Sequence, residues 1–80
     1  MNENIKKAKE INKFGAIPEV EIGDVVTLGE VWDGEGTAPQ ESYSYKLTDE
    51  EDYINYTFEI IEQKEDPLET VVKIIDIELI

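Results

Sequence analysis

The stretch from residue 54 to residue 60 constrains the fold of this chain most strongly, because its side chains alternate strictly between apolar and polar. The apolar positions are Ile54, Tyr56, Phe58 and Ile60, and the polar positions between them are Asn55, Thr57 and Glu59. Alternate side chains of a β-strand point to opposite faces of its sheet. The pattern therefore predicts a strand with one face in the core and one face in water.

Two further stretches have related patterns. Residues 41–47 alternate in the same way, with Tyr43, Tyr45 and Leu47 on the apolar side. Residues 70–79 predict a last strand, and residues 64–67, which end in a proline, predict the turn before it, so that the last two strands form a long hairpin. In this last strand we expect an apolar face composed of Val71, Ile75, Ile77 and Leu79. The opposite face is expected to be acidic and to carry Asp76 and Glu78.

Residues 20–32 predict a further, irregular part of the sheet. A β-branched stretch over residues 20–28 is interrupted by Gly23 and Asp24, which indicates a bulge or a sharp bend. Residues 30–32 predict a second short strand or the continuation of a bent one. Together with the later stretches this gives about five strands.

The N-terminal segment predicts a short helix over residues 4–14. Ile5, Ala8 and Ile11 recur at three-residue steps, and Gly15 stands where a helix C-cap is expected. A helix of about three turns is marginal in isolation, so we expect it to dock on the sheet through Ile5, Ile11 and Phe14.

The length and the order of these elements predict one domain over residues 1–80, since 80 residues do not divide between two cores. Residues 1–14 form a basic amphipathic helix and residues 19–80 an acidic sheet. The expected fold class is mostly β within the α+β class. The antiparallel sheet either curls into a small SH3-like or OB-like barrel or packs the helix on one face.

The charge of the chain is strongly negative and unevenly distributed. Twenty Asp and Glu residues face seven lysines, with no Arg or His, which gives a net charge of -13 that hardly changes between about pH 6 and 8. Residues 1–14 carry +2, so residues 15–80 must carry -15. Such a charge disfavours direct binding to nucleic acid or to an anionic membrane.

The sequence also suggests where the protein works. It contains no membrane-length apolar stretch, no signal-peptide pattern and no cysteine. We therefore expect a cytoplasmic protein, located in the host cytoplasm if it is encoded by a phage.

The residue types argue against catalysis. Without His, Cys and Arg, the usual general bases, activated nucleophiles and anion clamps are missing, so we expect no enzyme and no cofactor. The acids at residues 33–35 and 49–52 have the oxygen chemistry that Ca²⁺ prefers, but they lack the spacing of a calcium loop. We therefore interpret them as solvated charges and expect no metal.

The residues that we expect to contact a partner are acids and two aromatic side chains. Carboxylates spaced along a strand or a turn imitate phosphates, although plain solubility is the alternative explanation of the acidic excess. Trp and Tyr are frequent interface anchors, although core packing is the alternative explanation of both residues and the favoured one for Trp32. The candidates are Trp32, Asp33, Glu35, Tyr43, Asp49, Glu50, Glu51, Asp52, Asp76 and Glu78.

Two functions from different classes follow from these features. The first is an acidic inhibitor or regulator that occupies the basic surface of a nucleic-acid-handling protein. The abundance of Lys, Ile, Asn and Glu without Arg is compatible with an AT-rich phage or mobile element. The alternative is an assembly module that self-associates or docks in a larger particle, in which the basic helix of one copy meets the acidic sheet of another.

Overall fold

The structure, a computed structural model, describes residues 2–32 and 41–80. In this part of the chain one α-helix, α1, spans Glu3–Ile11 and is followed by a four-stranded antiparallel sheet in the order β1-β4-β3-β2. The strands are β1 at Val25–Thr27, β2 at Ser42–Lys46, β3 at Tyr53–Glu62 and β4 at Val71–Leu79. The predicted mostly β, α+β class is confirmed, as are the β2 strand and the β3–β4 hairpin.

The predicted barrel and the predicted fifth strand are wrong. The two edge strands β1 and β2 are separated by β4 and β3 and do not pair, so the sheet is open. The expected strand at residues 30–32 is absent because Leu28–Glu30 form a 3₁₀ turn and Val31 and Trp32 then enter the core. This turn lies close to Leu68, whose carbonyl oxygen would be only 3.2 Å from a Cβ atom at Gly29.

Helix α1 docks on the sheet through Ile5, as predicted, but not through Ile11 and Phe14. The Asn2 side chain caps it by accepting hydrogen bonds from the amides of Asn4 and Ile5. Ile5 and Ala8 are fully buried, and the side-chain amide of Asn4 donates to the carbonyl oxygen of Ile77 in β4 at 2.7 Å. The buried i, i+3 pair fixes the helix on β3 and β4.

The helix ends at Ile11, three residues before the predicted end. Asn12 is extended, and its side chain accepts from the amide of Phe14 and donates to the carbonyl oxygen of Gly15, a local turn that competes with the helix. Ile11 and Phe14 therefore lie off the docking stripe and are 44 % and 48 % exposed.

Residues 13–24 return over the same face of the sheet. The amide of Lys13 donates to Leu47 beyond β2, the hydroxyl of Tyr56 in β3 donates to Pro18, and the amide of Gly23 donates to Ile74 in β4. The segment thus crosses the sheet instead of joining it as a strand. It ends in a reversal at Gly23, whose φ of 98° favours glycine.

One face of the sheet is therefore covered and the other is in water. On the covered face, α1 and residues 13–24 bury one contiguous hydrophobic cluster that includes Tyr56, Phe58, Ile74 and Ile77. We call the other side the open face. Its outward side chains are Val25, Thr27, Ser42, Ser44, Lys46, Tyr53, Asn55, Thr57, Glu59, Lys73, Ile75, Asp76 and Glu78.

A β-bulge in β4 overturns one part of the sequence prediction. Thr57 lies opposite Asp76 and Phe58 opposite Ile74, so Ile75 has no partner on β3. The extra residue shifts the alternation: before the bulge Val72 and Ile74 are buried in place of the predicted Val71 and Ile75, whereas after it Ile77 is buried and Leu79 packs against the core as predicted. Ile75 is 46 % exposed on the open face, and Val71 is only half-buried.

The hydroxyl of Tyr56 provides a test of the covered face. We expect Tyr56→Phe to lower the free energy of unfolding by about 1–2 kcal/mol, because it removes a 2.7 Å hydrogen bond and leaves the Pro18 carbonyl without its donor. The matched control is Tyr53→Phe, on the same strand but on the open face. Urea denaturation checks both variants, and equal stability of the two would show that residues 13–24 do not lie on this face.

Candidate functional site

Asp76 and Glu78 form the most regular group of charges on the open face. Both are exposed on β4, in register with Thr57 and Asn55 of β3. Residues two apart on a strand place their side chains about 6.5–7 Å apart on one face. The hairpin thus holds two carboxylates at a fixed spacing.

The side chains next to these acids are neutral and bond to one another. The hydroxyl of Ser44 donates to the side-chain oxygen of Asn55 at 2.8 Å, and the Asn55 amide donates to the hydroxyl of Thr57 at 3.3 Å. This chain of bonds satisfies the polar groups of β2 and β3 internally. Within the described residues, neither Asp76 nor Glu78 makes an ion pair, so their charge faces solvent.

The acidic turn between β2 and β3 lies at the same end of the sheet as these two acids. Tyr53 and Ile80 exchange two backbone hydrogen bonds, which places the start of β3 beside the end of β4. The two groups are distant in sequence, and the register brings them to one end. We call this group the acidic end, and it consists of Asp49, Glu50, Glu51, Asp76 and Glu78, all exposed.

Thr48 and Asp52 hold this turn together. The hydroxyl of Thr48 accepts from the amide of Glu50 and donates to the carboxylate of Asp52 at 2.7 Å, and Asp52 also accepts from the amide of Leu47 through its carbonyl oxygen. Asp52 is half-buried, whereas Glu51 is exposed to solvent.

The aromatic candidates are not brought together with the acids. Trp32 is 6 % exposed and packs in the core near the start of β4, at the opposite end of the sheet. Tyr43 is half-buried on the covered face, where its ring meets Tyr45 edge to face at 4.9 Å and Tyr45 meets Tyr56 at 5.7 Å. Core packing accounts for both residues.

Two further candidates, Asp33 and Glu35, lie outside the residues that the structure describes. The structure therefore gives the positions of the candidate acids of the turn and of β4, and their contact with a partner stays a prediction.

Burial raises the pKa of the Tyr56 phenol well above its ordinary value, and Tyr45 and Glu19 add to the rise. A phenol that stays neutral can donate to Pro18 throughout the physiological range. The stability that this raised pKa provides is present below the ordinary value of about 10 and is lost as the pH rises through the folded value. We assign Tyr56 to the structure of the covered face.

The lysines offset little of the acidic charge. Between described residues there are two ion pairs, Lys9 with Glu19 and Lys64 with Glu62, and all four side chains are well exposed. The described residues contain no group of three or more His, Cys, Asp or Glu residues that would hold a metal ion. No helix among them is long and apolar enough to cross a membrane.

Two exposed apolar residues of the open face, Val25 and Ile75, were not among the candidates predicted from the sequence. Val25 is 60 % exposed opposite Lys73, and Ile75 lies two residues further along β4. A signal for Ile75 was present in the sequence: the apolar pair at residues 74 and 75 breaks the alternation between Lys73 and Asp76. Such a doublet in a strand is typical of a bulge.

Comparison of the chain with protein-family models, with curated proteins and with solved structures found no match. The function is therefore argued from the geometry of the open face and of the acidic end.

The excess of acids provides a second test. At about 0.01 M salt the Debye length is about 30 Å, comparable with the 35 Å longest dimension of the molecule, whereas at 0.15 M it is about 8 Å. We expect the thermal midpoint of unfolding to rise over this range, because screening weakens the repulsion among the acids. Sodium and tetramethylammonium chloride should act alike, and a flat or falling midpoint in both salts would refute the expectation.

Proposed function

We propose that the protein is a non-enzymatic binding protein that acts in the cytoplasm as an inhibitor or regulator. Its acidic end occupies the basic surface with which a partner protein handles nucleic acid. The observation that carries this proposal is the pair Asp76 and Glu78, held in register on the β3–β4 hairpin with the acidic turn beside it.

The spacing of the two carboxylates suits imitation of a nucleic acid backbone. One DNA strand presents a phosphate about every 3.4 Å along the helix axis. Because the phosphates also wind around this axis, neighbouring ones lie further apart through space than the rise, at a separation similar to that of carboxylates about 6.5–7 Å apart on a strand. A partner's groove lined by Lys and Arg would thus meet these carboxylates at positions similar to those of the phosphates of its nucleic acid ligand.

The rigidity of the acidic end supports the same function. Asp76 and Glu78 lie on a strand that pairs with β3, and the turn is closed by the bonds of Thr48 and Asp52. Ordering a flexible acidic segment on binding would cost conformational entropy, and much of that cost is already met by folding here. The net charge of -13 also accelerates the encounter with a basic partner at low salt.

Two grooves of the described surface are formed by residues other than the acids of the acidic end. One groove of about 400 Å³ is lined by Lys9, Ile17, Glu19 and their neighbours, and another is formed by the outer side of α1. No carboxylate of the acidic end lines either of them. The acids are therefore presented on an exposed surface, which suits contact with a macromolecule.

Self-assembly is the second candidate, and the distribution of lysines favours it. Lys6 and Lys7 are exposed on α1, which lies over the covered face, whereas Asp76 and Glu78 lie on the open face. The exposed lysines of α1 and these two carboxylates thus lie on opposite sides of the molecule. Truncation of residues 1–14 does not test this candidate, because it would remove Ile5 and Ala8 from the core.

Affinity capture from lysate of the organism that encodes the chain tests the proposed function. The immobilised wild-type protein is compared with the double variant Asp76→Asn, Glu78→Gln and with a matched control, Glu65→Gln, Glu69→Gln. The control removes two exposed acids from the turn at the other end of the β3–β4 hairpin, so both variants have the same net charge.

We expect the wild type and the control to retain strongly basic nucleic-acid-binding proteins and the Asp76, Glu78 variant to lose them. Retention should fall steeply between about 50 and 200 mM salt, and added duplex DNA should compete. Recovery of this chain itself would favour the assembly candidate. Retention of only neutral or acidic proteins, or equal retention by all three baits, would rule the proposal out.

A further inference from the structure

The bulge in β4 exposes a large apolar side chain in the middle of a polar surface. Without the extra residue, strict alternation would place Ile75 on the same face as Ile77, which is buried. The bulge instead places Ile75 outward next to Asp76. Exposing an isoleucine has no benefit for the fold, and bulges often redirect a side chain towards a functional surface.

Ile75 does not stand alone on the open face. Val25 of β1 pairs with Lys73, which makes it a diagonal neighbour of Ile75 on the open face. The two side chains are 60 % and 46 % exposed. We call these two residues the apolar patch; Lys73 lies beside both of them, and Asp76 and Glu78 follow Ile75 along β4.

We propose that Ile75 and Val25 are the apolar anchor of the partner-binding surface, and that the occupant is a protein segment with a large apolar side chain between Lys or Arg residues. This inference rests on the proposed function and specifies its partner. The occupant is chosen by charge complementarity, because the acids beside the patch make no ion pair in the described part of the chain. A nucleic acid would be repelled by the same acids, and the open face of a second copy would present like charges.

Ile61 provides an internal comparison. It is 52 % exposed at the second irregularity of the hairpin, between the pairs of Ile60 and Glu62 with β4. Its acidic neighbour Glu62 is already ion-paired with Lys64. Ile61 therefore has similar exposure and a similar backbone setting, but a less available negative charge beside it.

The test is an NMR titration of the methyl-labelled, full-length protein with two synthetic peptides, both acetylated and amidated. The first is Arg-Ser-Leu-Ser-Arg, which in an extended conformation places the leucine and both arginines on one face. The second replaces the leucine by serine and keeps the charge. The variants are Ile75→Thr and, as a control, Ile61→Thr, which both retain a β-branched residue, with the double variant Asp76→Asn, Glu78→Gln alongside.

We expect the leucine peptide to bind the wild type and Ile61→Thr about tenfold more tightly than the serine peptide, since the two apolar side chains become partly buried. The shifted methyl signals should be those of Ile75 and Val25. In Ile75→Thr the ratio of the two affinities should fall to near one.

A ratio near one in the wild type, an unchanged ratio in Ile75→Thr, or dimerisation of the wild type through this patch would overturn the inference. Its failure is distinguishable from that of the proposed function. If both peptides bind equally to the wild type but lose affinity for the Asp76, Glu78 variant, only the apolar anchor is refuted. If the variant binds both peptides as well as the wild type does, the acidic contact itself fails.

Discussion

The pairing of β3 with β4 is the interaction on which the rest of the structure depends. It aligns the buried side chains of the two strands on one face, including Tyr56, Phe58 and Ile74. An open four-stranded sheet cannot bury that face by itself, so α1 and residues 13–24 must cover it. The hydrogen bonds of Asn4 to Ile77 and of Tyr56 to Pro18 fix the two covering segments across the strands.

The same pairing creates the candidate site. Because Tyr53 lies beside Ile80, the turn before β3 and the last residues of β4 meet at one end of the sheet. Acids that are 25 or more residues apart in sequence are thereby concentrated at the end of a rigid hairpin. Since no acid among residues 2–32 and 41–80 is buried without a partner, their mutual repulsion acts through solvent and is weakened by salt. The folded protein can therefore accommodate the repulsion among the acids of the acidic end, and binding of a partner of opposite charge would stabilise them.

The strands with clear alternation could be predicted from the sequence. The elements whose position depends on tertiary contacts could not. β2 and β3 were predicted with their correct buried faces, since period two depends on local pattern alone. Of the β-branched stretch predicted over residues 20–28, only Val25–Thr27 form a strand, whereas residues 20–22 cover the sheet because Val20 docks in the core. Closure into a barrel depends on which strands become edges, and short-range pattern carries no information about that choice.

The candidate site was predictable to a similar degree. The individual acids followed from the sequence, but their meeting at one end followed from the β3–β4 register. Trp32 was ambiguous because the same residue type serves as interface anchor and as core, and its burial resolves the choice. Ile75 was assigned to the wrong face because a single extra residue inverts the alternation on one side of a bulge.

The proposed binding surface depends on the bulge in β4, which turns Ile75 to the open face while Ile74 and Ile77 lie in the core on the covered face. Paramagnetic relaxation of the isoleucine methyl groups by a neutral, soluble relaxation agent tests it most directly. We expect strong broadening of the Ile75 methyl signals and little broadening of those of Ile74 and Ile77, which are 0 % and 2 % exposed. Protection of Ile75 together with broadening of Ile74 would contradict the bulge, the open face and the surface assigned to the partner.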